Sequence, residues 1–325
     1  STAANPESKM YAFEAGRKAV EEHYKRVGIP AEVVHGQFYG IYKTNYKWDA
    51  EPLISIIIPN KDHIDDLKKC MDSIENKSSY RNFEFIIVEN NSTDDETYEF
   101  YRNIEKKENV RVLYYKGDFN FSRINNFGVK EAKGDYILLL NNDTEIINPD
   151  CLKEMLGYCM REDVGIVGAR LYYEDDTIQH AGVVLGFGGI AGHTFIGASR
   201  YDNGYFSRII CAQDYSAVTA ACMMVKKNVY EEVDGLSEDF KVAFNDIDFC
   251  MKVRKADYLV VYNPAAELHH YESKSRGLED TPEKVERFNS EVARFIDKWK
   301  KELEEGDPYY NPNLTLDKAD FSLNV

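Results

Sequence analysis

The sequence is short of several features, and each shortage narrows the class of protein. Its apolar runs, such as "YILLL" at 136–140, are strand-sized, whereas a bilayer-crossing helix needs roughly 20 apolar residues. Positive charge is scarce: 40 Lys and Arg stand against 56 Asp and Glu, a formal net charge of −16. Nucleic-acid surfaces need clustered Lys and Arg to neutralise phosphates, so this balance argues against such a partner. A small anionic substrate would need local cations or a bound metal to offset the field. The six cysteines (70, 151, 159, 211, 222, 250) are scattered, with no CxxC pair and no metal-ligand spacing. That pattern points to reduced, buried thiols. The opening "STAANPESKM" has neither the charged start nor the apolar core of a secretion signal. The expectation is a cytoplasmic protein, soluble without detergent.

What is present is a globular composition, 43% apolar and 30% charged over 325 residues, enough for one large or two modest domains. Residues 6–27 read as a helix, with Tyr11, Ala15, Ala19 and Tyr24 near helical spacing. A Tyr-rich connector, "GQFYGIYKTNYKW", follows and ends at Pro52. From there strands are predicted at 53–59, 83–89, 109–115 and 136–140, with helices at 63–76, 94–107 and 122–132 between them. Strands alternating with helices of this length imply right-handed βαβ units and a parallel sheet. The second half is less regular. Short apolar runs alternate with Gly-rich turns, and helices are predicted at 150–161, 226–233, 245–255 and 282–304. The aromatic tail "GDPYYNPNLTLDKADFSLNV" is expected to dock on the rest.

Polar loops recur at the carboxyl ends of these strands: Pro59, Asn60, Lys61 and Asp62 after the first, Glu89 to Asp94 after the second, "NNDTE" after the fourth. Ligands of parallel sheets bind at those ends. Local chemistry gives part of the reason for "ENNSTDD", with Ser92, Thr93 or Asp94 capping a helix. In "FNDIDF", Asn245 reads as an N-cap, with Asp246 and Asp248 in the first helical turn.

Five ordered stretches, "SIIIPNKD", "FIIVENNSTD", "FNFSRINNFGVKEAKGDYILLLNNDTE", "NDIDFCMKVR" and "ELHHYESKSRG", resemble the inverting glycosyltransferase family 2. The match is closest to its branch in bacterial O-antigen and capsular polysaccharide assembly, and covers residues 52–277. The tail "DPYYNPNLTL" is similar to that branch too. The resemblance implies an α/β chain with the Rossmann-like, nucleotide-sugar-binding GT-A fold. Its central sheet would be mostly parallel, with an N-terminal helical arm (1–50) and a C-terminal helix and tail (278–325). Within the catalytic domain (51–277), residues 51–147 would hold the donor and 148–277 the acceptor.

The same resemblance assigns roles residue by residue. Glu89 stands where a carboxylate meets the nucleotide base, and Pro59, Asn60, Asp62, Asn91 and Asn142 would line that donor pocket. The Asp-x-Asp metal motif falls on Asn141, Asn142 and Asp143, with Asn141 in place of the first Asp. His270 stands at the distal metal-ligand position, and Mn²⁺ or Mg²⁺ is the implied ion. Lys274 and Arg276 would meet the diphosphate. Asp246 takes the place of the general base, with Asn245 where Glu is usual. His180, His193, Asp214 and Asp248 are assigned to the acceptor side. The implied partners are a UDP- or dTDP-sugar donor and a glycan or lipid-linked acceptor, with peripheral contact at the inner face of the membrane. The implied activity is hexosyl or rhamnosyl transfer to a cell-surface glycan (O-antigen, capsule or rhamnan-type). A Rossmann oxidoreductase would need a Gly-rich turn where this chain has "PNKDH". A catalytically silent sugar- or nucleotide-binding module is the second reading, suggested by the two Asn replacements.

Overall fold

The computed structural model describes residues 9–272 and 281–324, and the chain divides into two compact units, Ser1–Glu51 and Pro52–Val325. In the first, helix α1 (Met10–Val27) stops at Gly28, whose φ of 73° suits a residue without Cβ. Strands β1 (Ala31–His35) and β2 (Tyr42–Tyr46) form an antiparallel hairpin. The Arg17 guanidinium donates to the Val33 carbonyl (2.9 Å) and the Tyr42 hydroxyl to that of Phe13 (2.8 Å). The Tyr-rich connector therefore contains a strand. Its period-2 pattern, Tyr42, Thr44 and Tyr46, puts Thr44 inward.

The second unit opens with the alternation read from the sequence: β3 (Ile54–Asn60), α2 (Ile64–Lys77), β4 (Phe83–Glu89), α3 (Asp95–Ile104), β5 (Val110–Tyr114), α4 (Phe121–Lys130) and β6 (Tyr136–Leu140). These strands pair only in parallel with one another, as strands joined by helical crossovers do. After them come β7 (Thr144–Ile146), α5 (Cys151–Cys159), β8 (Val164–Tyr172), β9 (Ile178–His180), β10 (Val183–Leu185), β11 (Ala191–His193), β12 (Gln213–Asp214), β13 (Cys222–Lys226), α6 (Lys227–Glu232), α7 (Asn245–Lys255), β14 (Leu259–His270), α8 (Pro282–Lys298) and α9 (Lys300–Glu305).

One ten-stranded sheet runs β12-β14-β8-β13-β6-β3-β4-β5, with β7 on β14 and β9 on β8. It is mixed: β13 lies antiparallel between β6 and β8, while β14 pairs with β8 in parallel. Strands β3, β4, β6 and β13 are almost wholly buried, which explains their continuous apolar runs. Helix α4 lies close on β3 and β4 because Gly128 faces them; an added Cβ would stand 2.6 Å from Ile57. The helix expected over 282–304 breaks at the buried Trp299 into α8 and α9. The tail docks: Asp307 accepts from the Leu185 amide (2.7 Å), and Phe321 stacks on Phe195. All six cysteines are free thiols. Among the described residues no helix is long and apolar enough to cross a membrane.

Candidate active site

A cavity of about 620 Å³ lies at the carboxyl ends of β3, β4 and β6 and is closed on the far side by α7 and the end of β14. That volume suits a ligand of nucleotide size. Its floor is the turn Asn141–Asp143, set by the burial of β6 behind it. Strand β7 pairs antiparallel with β14, placing His270 opposite Thr144 and His269 opposite Glu145, and the Tyr271 amide donates to the Asp143 carbonyl (2.9 Å). This ladder carries His270 from far along the chain to the turn. Alternation along the strand turns its neighbour away, so His269 meets Asp176 (2.9 Å) instead. His270 Nε2 is 3.2 Å from Asp143 Oδ1 and 3.1 Å from the Asn141 amide nitrogen. Among the described residues no three His, Cys, Asp or Glu cluster as a metal site. The protein offers one carboxylate, one imidazole and one amide. That set fits Mg²⁺ or Mn²⁺, which commonly fills its remaining positions with water and phosphate oxygens.

Of the donor-side residues, Pro59, Asn60, Asp62 and Asn142 line the cavity, and Lys61 stands with them. Asn60 is committed at every polar atom. Its amide donates to the Asp62 carbonyl (2.8 Å) and the Tyr101 hydroxyl (2.7 Å), and its oxygen accepts from Asn142 (2.6 Å). Asp94 holds the N-cap position of α3 without a side-chain cap bond, and the Asp62 carboxylate accepts from the Thr93 and Asp94 amides that lead into the helix (2.9 and 3.1 Å). Burial works to raise this carboxyl, but those donors prevail and hold it below the usual range. Asp62 and His63 both adopt left-handed backbone, at φ 50° and 46°, and such strain persists where surrounding contacts enforce it.

Two expected donor residues sit elsewhere. Glu89 is buried beneath the cavity, its carboxylate taken by the Ser92 amide and hydroxyl and the Tyr101 hydroxyl (2.8 Å). It holds the loop and does not face the ligand space. Asn91 turns out to bond the Gly117 carbonyl (2.8 Å), and Asn90 lines the cavity in its place. Lys274 and Arg276 lie outside the described residues.

On the opposite wall, Asp246 faces the cavity from the first turn of α7. Its carboxylate accepts from the amides of Ile247 (2.8 Å) and Ala220 (3.2 Å). Asn245 is not the cap: Phe244 occupies that position at φ 62°, and Asn245 donates back to the Val242 carbonyl (2.8 Å). A positive φ on a bulky residue is rare, and Phe244 is held there by the rings of Phe288 and Phe295 on α8. The preceding loop is fixed by Glu291, whose buried carboxylate accepts from the amides of Lys241, Val242 and Ala243 (2.6, 3.1 and 3.0 Å). Asp248 points the other way. It is fully buried against the Trp299 indole N–H (2.8 Å), the Lys298 ammonium (2.6 Å) and Ser237.

Of the remaining acceptor-side residues, only His193 lines the cavity. His180 is fully buried behind it, the two Nδ1 atoms 3.1 Å apart, and burial lowers the pKa of both rings. For His193, Asp246 and Glu272 pull in the opposite direction. Asp214 lies on β12, paired with Val261 and away from the cavity, with its carboxyl raised by burial. Gln179, which pattern reading passed over for its neighbour His180, is the β9 side chain that reaches the cavity.

The mixed sheet that frames this cavity, entered through a run of βαβ units, is the fold of the GT-A glycosyltransferases. The mannosyltransferase of Pyrobaculum calidifontis, solved in complex with GDP-Man and Mn²⁺, shares this fold. It has a TM-score of 0.56 and 13% identity over 90% of this chain and 74% of that one. Residues 55–233 match the Glycosyl transferase family 2 model, more than half of the chain, and the chain belongs to that family. It is 35% identical over 318 residues to the O-antigen biosynthesis protein RfbC of Myxococcus xanthus, and 46% identical over 327 to an uncharacterised protein, y4gI, of Sinorhizobium fredii. These alignments take in 96% and 100% of this chain but 24% and 36% of those relatives, which are much longer.

Proposed function

We propose that this chain is a metal-dependent, inverting glycosyltransferase domain. It would transfer a hexose or rhamnose from a UDP- or dTDP-sugar to a hydroxyl of a growing cell-surface glycan, such as an O-antigen or capsule carried on a lipid at the inner membrane face. The observation that carries this reading is one cavity with Asp143 and His270 on its floor and Asp246 on the facing wall. Asp246 would accept the proton of the acceptor hydroxyl. The freed oxygen electron pair then forms the new bond at the anomeric carbon as the bond to the diphosphate oxygen breaks on the opposite face, inverting the configuration. Asp143 and His270, with Asn141, would hold a divalent ion, which when bound offsets the charge gathered on the departing nucleoside diphosphate. His193 lines the same cavity as Asp246 and would orient the acceptor. The likeness to an O-antigen biosynthesis protein supports the glycan class of acceptor, and the Mn²⁺ and GDP-Man of the mannosyltransferase support an ion with a nucleotide sugar.

The test is a panel of nucleotide sugars with Mn²⁺, read by thermal stabilisation and donor hydrolysis. A donor at 100 times its Kd stabilises by about 2.7 kcal/mol, and Asp143→Ala should remove most of that gain. A panel that stabilises nothing rejects the reading. Stabilisation without any turnover selects the silent module, for which Asn141 and Asn245 in acidic motif positions are the favouring observation.

A further inference from the structure

We infer that Gln179 is a positioning residue that fixes His270 as the Nδ1–H tautomer, keeping the Nε2 lone pair turned towards Asn141 and Asp143. The inference rests on the metal reading above only for its consequence, not for its geometry. The Gln179 amide nitrogen donates to the His270 carbonyl (3.1 Å) and to Glu272 Oε2 (3.3 Å). A carbonyl and a carboxylate accept, so the amide has one orientation, with Oε1 towards the ring. Oε1 lies 2.7 Å from His270 Nδ1 and has no proton to give, so Nδ1 must donate. In the neutral ring this places the lone pair at Nε2.

Nε2 accepts from the Asn141 amide at 3.1 Å and stands 3.2 Å from Asp143 Oδ1. Adjacent ligands of an octahedral ion with bonds near 2.1 Å are about 3 Å apart, so the two donors are already spaced for one ion. Gln179 itself is 5% exposed and sits on β9, laddered to β8 through Ile178 and His180. Its carbonyl lies 3.2 Å from His193 Nδ1, so the same residue also braces the acceptor-side imidazole. A partner held on a strand restricts the ring more tightly than one on a loop.

The test compares wild type, Gln179→Leu and Gln179→Glu. Imidazole ¹⁵N correlations are recorded at about pH 8, above the ordinary imidazole range, with the His270 signals assigned by their loss in His270→Ala. Mn²⁺ affinity is measured by calorimetry in the presence of UDP. Wild type should show Nδ1–H. Gln179→Leu should shift to Nε2–H or a mixture and lose about 10–100-fold in Mn²⁺ affinity, the range for such outer partners. Gln179→Glu keeps an accepting oxygen on the ring and should keep Nδ1–H. If Gln179→Leu retains Nδ1–H, or Gln179→Glu loses it, the assignment is overturned. Should the leucine variant not fold, the glutamate variant decides alone. If Asp143→Ala leaves Mn²⁺ binding untouched, the metal reading fails, while the imidazole spectra still decide the role of Gln179.

Discussion

At the scale of single residues, Asp246 and Asp248 show what two positions along a helix can separate. Residues two apart on a helix point about 200° apart, so one carboxylate enters the cavity and the other enters the packing against Trp299. Asp246→Asn should lower turnover by about 10²–10⁴-fold, the contribution of a general base. Its carboxylate also accepts from the Ile247 and Ala220 amides, and an amide side chain can serve only one of them, so a loss of about 1 kcal/mol in stability should accompany it. Donor affinity should be unchanged. Asp248→Asn should do the reverse, destabilising by about 1.5–3 kcal/mol through its charged hydrogen bonds to Lys298 and Trp299 while the variant that folds keeps its donor affinity. Transfer rate, donor affinity and melting temperature on the three proteins are the measurements. Near-native turnover in Asp246→Asn places the base elsewhere. Sequence brought the NDID stretch to notice, and Asp143, His270 and Asp246 do meet in one cavity. It placed Glu89 and Asp248 in the site because local pattern does not reveal that Tyr101 and Trp299 occupy those carboxylates.

At the scale of elements, the legible part was the run of βαβ units, since helical and strand periods differ and each segment is long enough to show its own. The illegible part includes β7 and the strands from β9 to β12, where runs of two or three residues carry no measurable period and direction is set by distant partners such as β8 and β14. Helix α8 belongs to this second kind. Its helical span was readable, but its hold on the α7 entry was not. Glu291 gathers three successive amides, and Phe295 and Phe288 keep Phe244 in its left-handed turn, one residue before Asn245 and two before Asp246. Glu291→Gln offers a donor where an acceptor is needed, and should cost about 1–3 kcal/mol for amides left unsatisfied. Hydrogen exchange at Lys241, Val242 and Ala243 should speed up, and transfer should slow while nucleoside diphosphate affinity holds, because the donor floor is built from β3, β6 and β14. Unaltered exchange at those amides would remove α8 from any part in ordering the base.

At the scale of the whole molecule, the two compact units differ in what they can support alone. In Ser1–Glu51 only Val33 and Thr44 are buried among the described residues, and α1 buries none. A segment of that length with so little apolar burial cannot offset its ordering entropy, and isolated helices of this size are marginal in water. The main hydrophobic core, from Ile57 to Phe321, lies within Pro52–Val325, as does every described residue lining the cavity. A protein comprising residues 52–325 should therefore unfold cooperatively, with a melting temperature within about 4 °C of the full chain, the shift that about 1 kcal/mol produces at this size. It should bind UDP with Mn²⁺ at an affinity within about threefold, a difference below 1 kcal/mol. The fragment 1–51 alone should show little helical circular dichroism. Calorimetry, thermal melting and circular dichroism on the two fragments check each point. A 52–325 protein that folds but has lost nucleotide binding would overturn the placement of the donor site within Pro52–Val325.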